Sequence, residues 1–249
     1  MLRGIYTAAT GMAVQQLRGE IVANNLANLE TAGYKPQELY PGCFPQVLLE
    51  FMGPGQRQAV GLGSLGCRVE EVRINLTQGS LKPTGDPWNI ALTGAGFLTV
   101  ETPGGIRYTR AGYLARDSQG YIVTPNGYYI LGERGRIRLV SSQAPQIDEQ
   151  GNVYENGQLL DRLALVTFAG PQDLLPQGDG TFRAVVPPNN VTYRDHLIKQ
   201  GFLEQPPVDL ARETTNLLTC NRIFETCQRA IQTQDEMAGK AINEVGVLR

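Results

Sequence analysis

The protein has 249 residues, enough for one large domain or two modest ones, and it can bury a hydrophobic core without cross-links. Its 22 Lys and Arg residues nearly balance 24 Asp and Glu residues, and a net charge of −2 argues against nucleic acid or an anionic membrane as the main partner. The 29 Gly and 15 Pro residues are typical of many short strands and turns, which argues against an all-helical fold.

No run of eighteen apolar residues occurs, so we expect no membrane-spanning helix. The first twenty residues lack the continuous apolar stretch of a Sec signal. If the protein is exported from the cytoplasm, we therefore expect it to use a route other than Sec.

Residues 1–35 are predicted to form an N-terminal helix. The chain lacks proline from Leu2 to about Leu29, and charge is sparse, which indicates a helix with neighbours on more than one side. We expect the helix to end near residues 31–33, because glycine adopts the left-handed cap conformation and the Lys35-Pro36 step disfavours continuation. Small or apolar residues recur at a spacing close to a heptad: Ile5, Ala8, Met12, Gly19, Val22, Leu26 and Leu29.

Residues 36–75, with four Pro and six Gly, are predicted to form an irregular connector. Within it, Gly61–Gly66 matches the G-x-G-x-x-G pattern of dinucleotide-binding loops. That pattern requires a following helix, whereas residues 67–76 alternate like a strand. We therefore interpret the motif as linker.

Residues 76–205 are predicted to form a compact all-β domain. Short apolar runs alternate with turn signals, and the Asn126-Gly127 and Asn156-Gly157 steps indicate hairpins because both central positions need positive φ. The predicted strands cover residues 89–92, 96–100, 121–123, 128–131, 137–140 and 162–168.

Residues 206–249 are predicted to form a C-terminal helix. Pro206-Pro207 interrupts the chain, and Asp209 favours a helix start just after it. One row of residues recurs at seven-residue intervals: Leu210, Leu217, Phe224, Ile231, Ala238 and Val245. A companion row is only partly apolar and consists of Glu213, Cys220, Cys227, Gln234 and Ala241. The narrow seam formed by these rows is one that a partner helix would cover.

The predicted fold class is therefore α+β: a compact all-β domain inserted between long N- and C-terminal helices that pair as a coiled coil. A lone amphipathic helix is marginal in water, so pairing of the two ends is the simplest arrangement. Two helices still leave apolar surface exposed, which favours packing against further copies and makes the chain a building block of a polymer.

Few residues suggest a catalytic or metal-binding role. His196 is the single histidine and lies in a polar stretch, so a surface or turn position is favoured over a Ser-His-Asp site. The four cysteines lack the close spacing of zinc ligands; Cys220 and Cys227 are interpreted as small residues of the helix seam, while pairing of Cys43 with Cys67 stays open. We expect no catalytic residue, no cofactor and no metal.

The sequence resembles the axial proteins of the bacterial flagellum, specifically the basal-body rod and hook group. The N-terminal part of the resemblance is residues 23–28, Ala-Asn-Asn-Leu-Ala-Asn, followed by Thr31, Gly33, Tyr34 and Lys35. The central part is similar to the β core of that family over residues 78–127, including Tyr108-Thr109-Arg110-Ala111-Gly112. The C-terminal part is Gly201-Phe202-Leu203-Glu204-Gln205, then Asn221-Arg222, Phe224-Glu225 and residues 233–237.

The resemblance implies a non-enzymatic structural subunit of the rod, the drive shaft between motor and hook, located in the flagellar basal body. Implied partners are further copies, other rod and hook subunits, the flagellar type III export apparatus and, where an outer membrane exists, bushing rings. Neither nucleic acid nor a small-molecule substrate is expected. Chain length and local sequence favour a proximal- or distal-rod type over the longer hook protein. A secreted β-domain hydrolase or cell-wall-binding module with a helical stalk is the alternative from another class.

The resemblance also implies an export signal, because early substrates of this route carry a Phe-x-x-x-apolar element after the first helix. Phe44 and Leu48 fit that spacing, and an ordinary apolar anchor for the connector is the alternative.

The predicted assembly interface includes polar positions, because Asn24, Asn25 and Asn28 lie in a helix with little charge and could fix a stacking register by hydrogen bonding between subunits; an exposed polar stripe is the alternative. The full predicted interface is Ile5, Met12, Val22, Asn24, Asn25, Leu26, Asn28, Leu210, Leu217, Phe224 and Ile231.

Overall fold

A computed structural model of the chain describes residues 2–53, 56–141, 143–190 and 197–245. It contains an N-terminal helix α1 (Leu2–Ala27), a mostly β central region and a C-terminal helix α2 (Leu210–Lys240), followed by a π-helical turn (Ala241–Val245). The α+β fold class is thereby confirmed. His196, predicted at a surface or turn, lies outside the described residues. Neither described helix combines the length and the apolar character needed to cross a bilayer.

The chain folds as two compact units. The helical unit comprises Met1–Leu26, Gln37–Arg73 and Asp209–Arg249, and the β domain comprises Ala27–Pro36 and Ile74–Val208. The expected boundaries at residues 35/36, 75/76 and 205/206 differ from these units in two respects: the expected connector belongs with the helices, and residues 27–35, expected in the N-terminal helix, belong to the β domain.

Strands in the helical unit are β1 (Gln37–Cys43), β2 (Val47–Gly53), β3 (Gln56–Gly63) and β4 (Cys67–Ile74), the last of which ends one residue inside the β domain. Strands of the β domain are β5 (Leu81–Pro83), β6 (Ile90–Thr93), β7 (Phe97–Thr102), β8 (Gly105–Thr109), β9 (Ala115–Arg116), β10 (Ile122–Val123), β11 (Tyr129–Gly132), β12 (Gly135–Arg136), β13 (Gln146–Ile147), β14 (Asn152–Glu155), β15 (Gln158–Arg162), β16 (Leu165–Thr167), β17 (Leu174–Pro176), β18 (Thr181–Ala184), β19 (Asn189–Asn190), β20 (Leu197–Gln200) and β21 (Phe202–Glu204). A short 3₁₀ helix, Pro171–Asp173, precedes β17.

The expectation of an irregular connector is wrong, because residues 37–74 form a β ribbon. β1 pairs with β4, and β2 pairs antiparallel with β3 with one register shift after Leu49. Prolines are compatible with this ribbon because each sheet has only two strands, so Pro41 within β1 can lie on an edge that needs no ladder hydrogen bond. Strand β4, not a helix, follows Gly61–Gly66, which argues against a dinucleotide-binding loop. The linker interpretation holds only for residues 64–66, because residues 61–63 form the end of β3.

The β domain is built on an antiparallel sheet of order β17-β18-β8-β7-β11-β10-β9, with β12 beside β11 and β16 joining β7 to β19. The Asn156-Gly157 prediction is confirmed: both residues have positive φ and they connect β14 to β15 as a two-residue hairpin loop. Gly127, also at positive φ, lies in the loop between β10 and β11. Residues 137–140 form only an isolated bridge from Arg138 to Tyr121 instead of the expected strand.

Two apolar clusters fill the β domain. The larger surrounds Leu98, Ile122 and Ile130, and the smaller joins Phe97, Tyr108 and Phe182 through edge-to-face rings that also involve Phe168. Alternation along β7 supplies both clusters, since Phe97 and Leu98 point to opposite sides. Both clusters are buried within the described part of the chain.

Helix boundaries follow local chemistry. The Asp209 carboxylate accepts hydrogen bonds from the backbone N–H groups of Ala211 and Arg212, so it caps α2 as well as favouring its dipole. α1 ends at Ala27, a few residues before the predicted position. Gly33 has φ +73°, and a Cβ there would overlap the Arg110 carbonyl, so only glycine fits this turn.

Candidate assembly interface

One narrow face of α2 is covered within the chain. Its half-buried or buried residues recur every three or four positions, and the remainder of the helix is exposed. Cys220 is the single buried residue of this helix. The covered positions of α2 are Glu213, Asn216, Leu217, Cys220, Phe224, Cys227, Ile231, Gln234, Ala238 and Gly239, and the pattern continues at Ala241 in the π-helical turn.

The covered face of α2 meets α1 at points separated by one heptad on both helices. A Cβ at Gly11 would lie 3.4 Å from the Cys227 sulfur, and one at Gly4 would overlap the Gln234 carboxamide. Burial raises the pKa of the Cys220 thiol, and the nearby charge of Arg18 opposes that effect. Because the residue number rises on α1 as it falls on α2, the two helices run antiparallel along this face.

The predicted interface residues fall into three groups. Half-buried residues are Ile5, Met12, Leu26, Asn28, Leu217, Phe224 and Ile231. Asn24 and Leu210 are exposed, with Leu210 retaining 59% of its accessible surface. Val22 and Asn25 are buried at 5% and 3% exposure.

The prediction that Asn25 bonds between subunits needs correction. Its side chain donates to the Gln37 carbonyl (2.9 Å) and accepts from the Gln37 N–H (3.1 Å), so it joins α1 to β1 within one chain. Val22 is likewise covered by its own chain. Both residues support the fold of the helical unit and are unavailable to a neighbour.

All four cysteines lie in the described part of the chain and are free thiols. Cys220 and Cys227 occupy the covered face of α2, which confirms their interpretation as small seam residues. Cys43 and Cys67 do not form a disulfide here.

Phe44 lies half-buried beside α1, and its N–H donates to the Gly66 carbonyl (3.1 Å). Leu48, four residues on, is 52% exposed at the start of β2. Phe44 lines an apolar groove of about 350 Å³ whose other walls are Arg3, Tyr6, Thr7, Thr10 and Leu65. Phe44 thus packs as an apolar anchor in the folded chain. This packing is compatible with recognition of the same residue by an export apparatus before the chain folds.

A buried charge cluster in the β domain joins three distant parts of the sequence. The Glu204 carboxylate accepts hydrogen bonds from Lys35 Nζ (2.8 Å), Arg110 Nε (2.7 Å) and the Gly79 N–H (2.9 Å). The side chains of Lys35, Arg110 and Glu204 are 0%, 1% and 2% exposed. We call these three residues the charge cluster.

Remaining donors of the charge cluster are also satisfied. Lys35 Nζ donates to the Thr77 carbonyl (2.8 Å), and the Arg110 guanidinium donates to the carbonyls of Gly96 (2.9 Å) and Gly94. Arg110 also lies 5.7 Å from the centre of the Phe97 ring. Each charged nitrogen and oxygen of the cluster thus has at least one hydrogen-bond partner, and the interior tolerates a buried ion pair that is satisfied in this way.

Electrostatics in the charge cluster favour a carboxylate. Burial opposes ionisation of Glu204, but the Arg110 charge and the hydrogen bonds from Lys35 and Gly79 outweigh it and lower its pKa. Burial, followed by repulsion from Arg110, lowers the pKa of Lys35. The single carboxylate of Glu204 thus balances two buried cations, so its loss would leave both Lys35 and Arg110 without a counter-charge.

Sequence comparison identifies relatives along the whole chain. Residues 5–35 match the model of flagella basal body rod proteins, residues 91–158 match the D1 domain of flagellar hook proteins FlgE/F/G, and residues 199–244 match the C-terminal region of flagellar basal body rod FlgEFG proteins. The flagellar hook-basal body complex protein FlhO of Bacillus subtilis is 30% identical over 99% of both chains. The flagellar basal-body rod protein FlgG of Agrobacterium fabrum is 31% identical over 95% of this chain and 97% of its own.

The chain belongs to the flagellar basal-body rod family. It is therefore a structural subunit of the rod in the flagellar basal body and not an enzyme. A rod protein FlgF, from Caulobacter vibrioides, is also similar, with 29% identity over 91% of each chain. Membership in this family decides against the hydrolase or wall-binding alternative.

Each region of this rod subunit that matches a family model supplies one member of the charge cluster. Lys35 ends the first matched region, Arg110 lies in the second and Glu204 in the third. Sequence reasoning placed all three in recognisable motifs but gave them no role. A lysine beside Tyr34 and Pro36 and a glutamate at the end of the short apolar strand β21 were the signal that could have indicated a buried ion pair.

Proposed function

We propose that copies of this rod subunit polymerise through the helical unit and that α1 and α2 of each copy pair as an antiparallel coiled coil. The observation that carries this proposal is the heptad-matched meeting of Gly4 with Gln234 and Gly11 with Cys227. Small residues on α1 opposite the covered face of α2 allow the helices to approach closely.

Exposed apolar side chains on the same unit supply the driving force. Leu210, Leu218, Ile223, Met237 and Ile242 project from α2 and its end with 38–71% of their surface accessible. At about 25 cal/mol per Å² of apolar surface, covering a few of them per contact contributes several kcal/mol. A contact between unlike faces that does not close on itself generates a helical filament.

The proposed partners are further copies of the chain and other rod and hook subunits. The relatives named FlgG, FlgF and hook-basal body complex protein support this proposal. Bushing rings are further proposed partners where an outer membrane surrounds the rod.

Assembly is tested with the purified full-length chain and two glycine variants. We expect Gly11→Leu to force α1 away from Cys227 and to prevent polymerisation, measured by sedimentation velocity and electron microscopy. Gly19→Leu is the matched control, because a Cβ at Gly19 meets nothing within 4 Å. A wild-type chain that stays monomeric at every concentration, with or without preformed rod fragments, contradicts the proposal.

We further propose that Phe44 and Leu48 are read by the flagellar type III export apparatus before the chain folds. Phe44→Ala combined with Leu48→Ala should reduce secretion at least tenfold while leaving the circular dichroism of the folded protein unchanged. Leu62→Ala with Leu65→Ala removes two exposed leucines from the same ribbon and serves as the control. Equal secretion of both double variants would remove the export role.

A further inference from the structure

Strands β1 and β4 of the ribbon run antiparallel. The Phe44 N–H donates to the Gly66 carbonyl (3.1 Å) at one end of the pair, and the Asn75 N–H donates to the Pro36 carbonyl (2.7 Å) at the other. Because residue numbers fall on β4 as they rise on β1, the two strands have opposite directions. The first of these two hydrogen bonds lies one residue outside both strands.

Two cysteines are the last opposed pair of this ladder. Cys43 is the final residue of β1, and Cys67 is the first residue of β4. Cys67 directs its N–H to the Thr10 hydroxyl on α1 (3.3 Å), and the Gly66 N–H donates to the Ser64 hydroxyl (3.3 Å) rather than to β1. Cys43 and Cys67 therefore form a non-hydrogen-bonded pair, the type in which opposed side chains approach most closely.

A pair of this type has the dimensions that a disulfide needs. Opposed Cα atoms in a non-hydrogen-bonded pair are about 4.5 Å apart, and disulfides join Cα atoms separated by about 4.4–6.8 Å. Cys43 is exposed and Cys67 is half-buried, so a reagent in solution can reach the site. Cys220 and Cys227 differ, because seven residues of helix separate their Cα atoms by about 10 Å, which is beyond the span of a disulfide.

We propose that Cys43 and Cys67 form an intramolecular disulfide when the rod subunit meets an oxidising compartment, and that the free thiols of the structure are the reduced state of this site. The cytoplasm keeps thiols reduced, whereas the bacterial periplasm and cell surface favour disulfides. This inference goes beyond the proposed polymerisation and does not depend on it. The bond closes residues 43–67 into a covalent loop that contains β2 and β3.

Thiol–disulfide exchange with glutathione disulfide, or with the oxidised cysteine pair of another protein, supplies the oxidant. The thiolate of the exposed Cys43 attacks one sulfur of that disulfide, which forms a mixed disulfide and releases one thiol. The Cys67 thiolate then attacks the Cys43 sulfur and releases the second thiol. Two thiols of the chain are oxidised to one disulfide, the incoming disulfide is reduced to two thiols, and the two protons pass to the released sulfurs.

The disulfide stabilises a part of the chain that has few strands to hold it. β1 pairs with β4, and β2 with β3, in sheets of only two strands, and such pairs are marginal in water by themselves. A covalent tie between β1 and β4 reduces the entropy that the chain gains when the ribbon opens. The reduced chain lacks this tie, so the site adds stability only outside a reducing compartment.

The test uses the full-length monomer at low concentration, in oxygen-free buffer with glutathione disulfide and glutathione. Free thiols are then alkylated, and trypsin cleavage after Arg57 leaves Cys43 and Cys67 on separate peptides. We expect mass spectrometry to find these two peptides joined by a disulfide, with Cys220 and Cys227 alkylated.

Cys67→Ser removes the second thiol of the exchange and leaves the first in place. This variant should accumulate the mixed disulfide of Cys43 with glutathione at least about tenfold more than the wild type does. Equal accumulation in the two proteins, linkage of Cys43 to a cysteine other than Cys67, or a Cys43 thiol that stays free in the wild type would overturn the inference.

Hydrogen exchange measures the consequence for the ribbon. Oxidation of the wild type should slow exchange of the amides of β1 and β4 at least about tenfold, because the tie opposes opening. The double variant Cys43→Ser with Cys67→Ser is the matched control and should exchange equally in both buffers. Unchanged exchange in the oxidised wild type would contradict the stabilising role. A wild type that never polymerises would overturn the proposed polymerisation alone, since every step of this test uses the monomer.

Discussion

The β domain and the helical unit of this rod subunit differ in how completely one chain can finish them. In the β domain, two apolar clusters are closed and the charge cluster has its hydrogen bonds supplied by its own chain. In the helical unit, α2 buries only Cys220 along 31 residues and exposes several large apolar side chains. The β domain therefore has closed clusters of its own, although it also exposes large apolar side chains such as Ile106 and Val140, whereas α2 buries little within one chain.

That difference separates the sources of stability in the two regions. Burial within one chain stabilises the β domain at any concentration, whereas under the proposed polymerisation the stability of the helical unit would rise with the number of neighbouring copies. On that proposal, folding of the chain ends is linked to assembly.

The largest effect that tests this difference is in hydrogen exchange of the monomer. We expect backbone amides of α2 to exchange at least about a thousandfold faster than those of β7 and β11, because the helix lacks a closed core. Polymerisation should slow exchange in α2 and leave β7 unchanged. Equal protection of the two regions in dilute monomer would contradict the idea that the helices are completed by neighbours.

A second test removes the anion of the charge cluster. Glu204→Gln leaves Lys35 and Arg110 buried without a counter-charge, so we expect the free energy of unfolding of the β domain to fall by about 3–5 kcal/mol. The comparison is Glu101→Gln, which breaks a surface pair with Arg136 whose members are 37% and 44% exposed. That change should cost less than about 1 kcal/mol in the same urea titration. Equal losses of unfolding free energy in the two variants would show that the buried charge cluster contributes no more to stability than the surface pair.

Acid should destabilise the β domain by protonating the Glu204 carboxylate. The pKa of Glu204 in the folded chain is below its ordinary value of 4.5, so the unfolded chain binds the proton more readily. Its stabilising contribution is therefore present above about pH 4.5 and is lost as the pH falls through the lower folded-state pKa. Urea titrations of the wild type at falling pH should show this loss, and Glu204→Gln should reduce the slope.

The smallest expected effect is the difference in stability between two glycine substitutions in the β domain. Gly33→Ala places a Cβ against the Arg110 carbonyl in addition to the strain of φ +73°, so we expect a loss of about 2–4 kcal/mol. Gly127→Ala has φ +79° but meets nothing within 4 Å, so strain alone should cost about 1 kcal/mol. Thermal unfolding of the two variants measures the difference.

Periodicity and turn chemistry were sufficient to predict both helices and the β domain between them. The heptad rows and the Asp209 cap predicted α2, and Asn156-Gly157 predicted its hairpin, because these signals act within a few residues. Strand-like alternation was recognised over residues 67–76, which contain β4, but β1 to β3 escaped prediction because proline and glycine indicate a loop unless pairing is known. Residues 137–140 illustrate the opposite error, since an apolar run without a full-length partner makes only a bridge.

The candidate interface was predicted less completely than the fold. Heptad spacing alone cannot tell whether a residue such as Asn25 faces its own chain or another, and here the answer came from a contact with Gln37, twelve residues away. The charge cluster was harder still, since Lys35 and Glu204 are 169 residues apart in sequence.

Four connections of the chain join the helical unit to the β domain, at residues 26/27, 36/37, 73/74 and 208/209. In the β domain, residues near these connections meet at one place: Lys35 and Glu204 form the ion pair, Thr77 accepts from Lys35, and the Asn75 N–H donates to the Pro36 carbonyl (2.7 Å). Three of these four connections therefore lie within a few residues of one hydrogen-bonded network of the β domain, which holds together chain segments that are far apart in sequence.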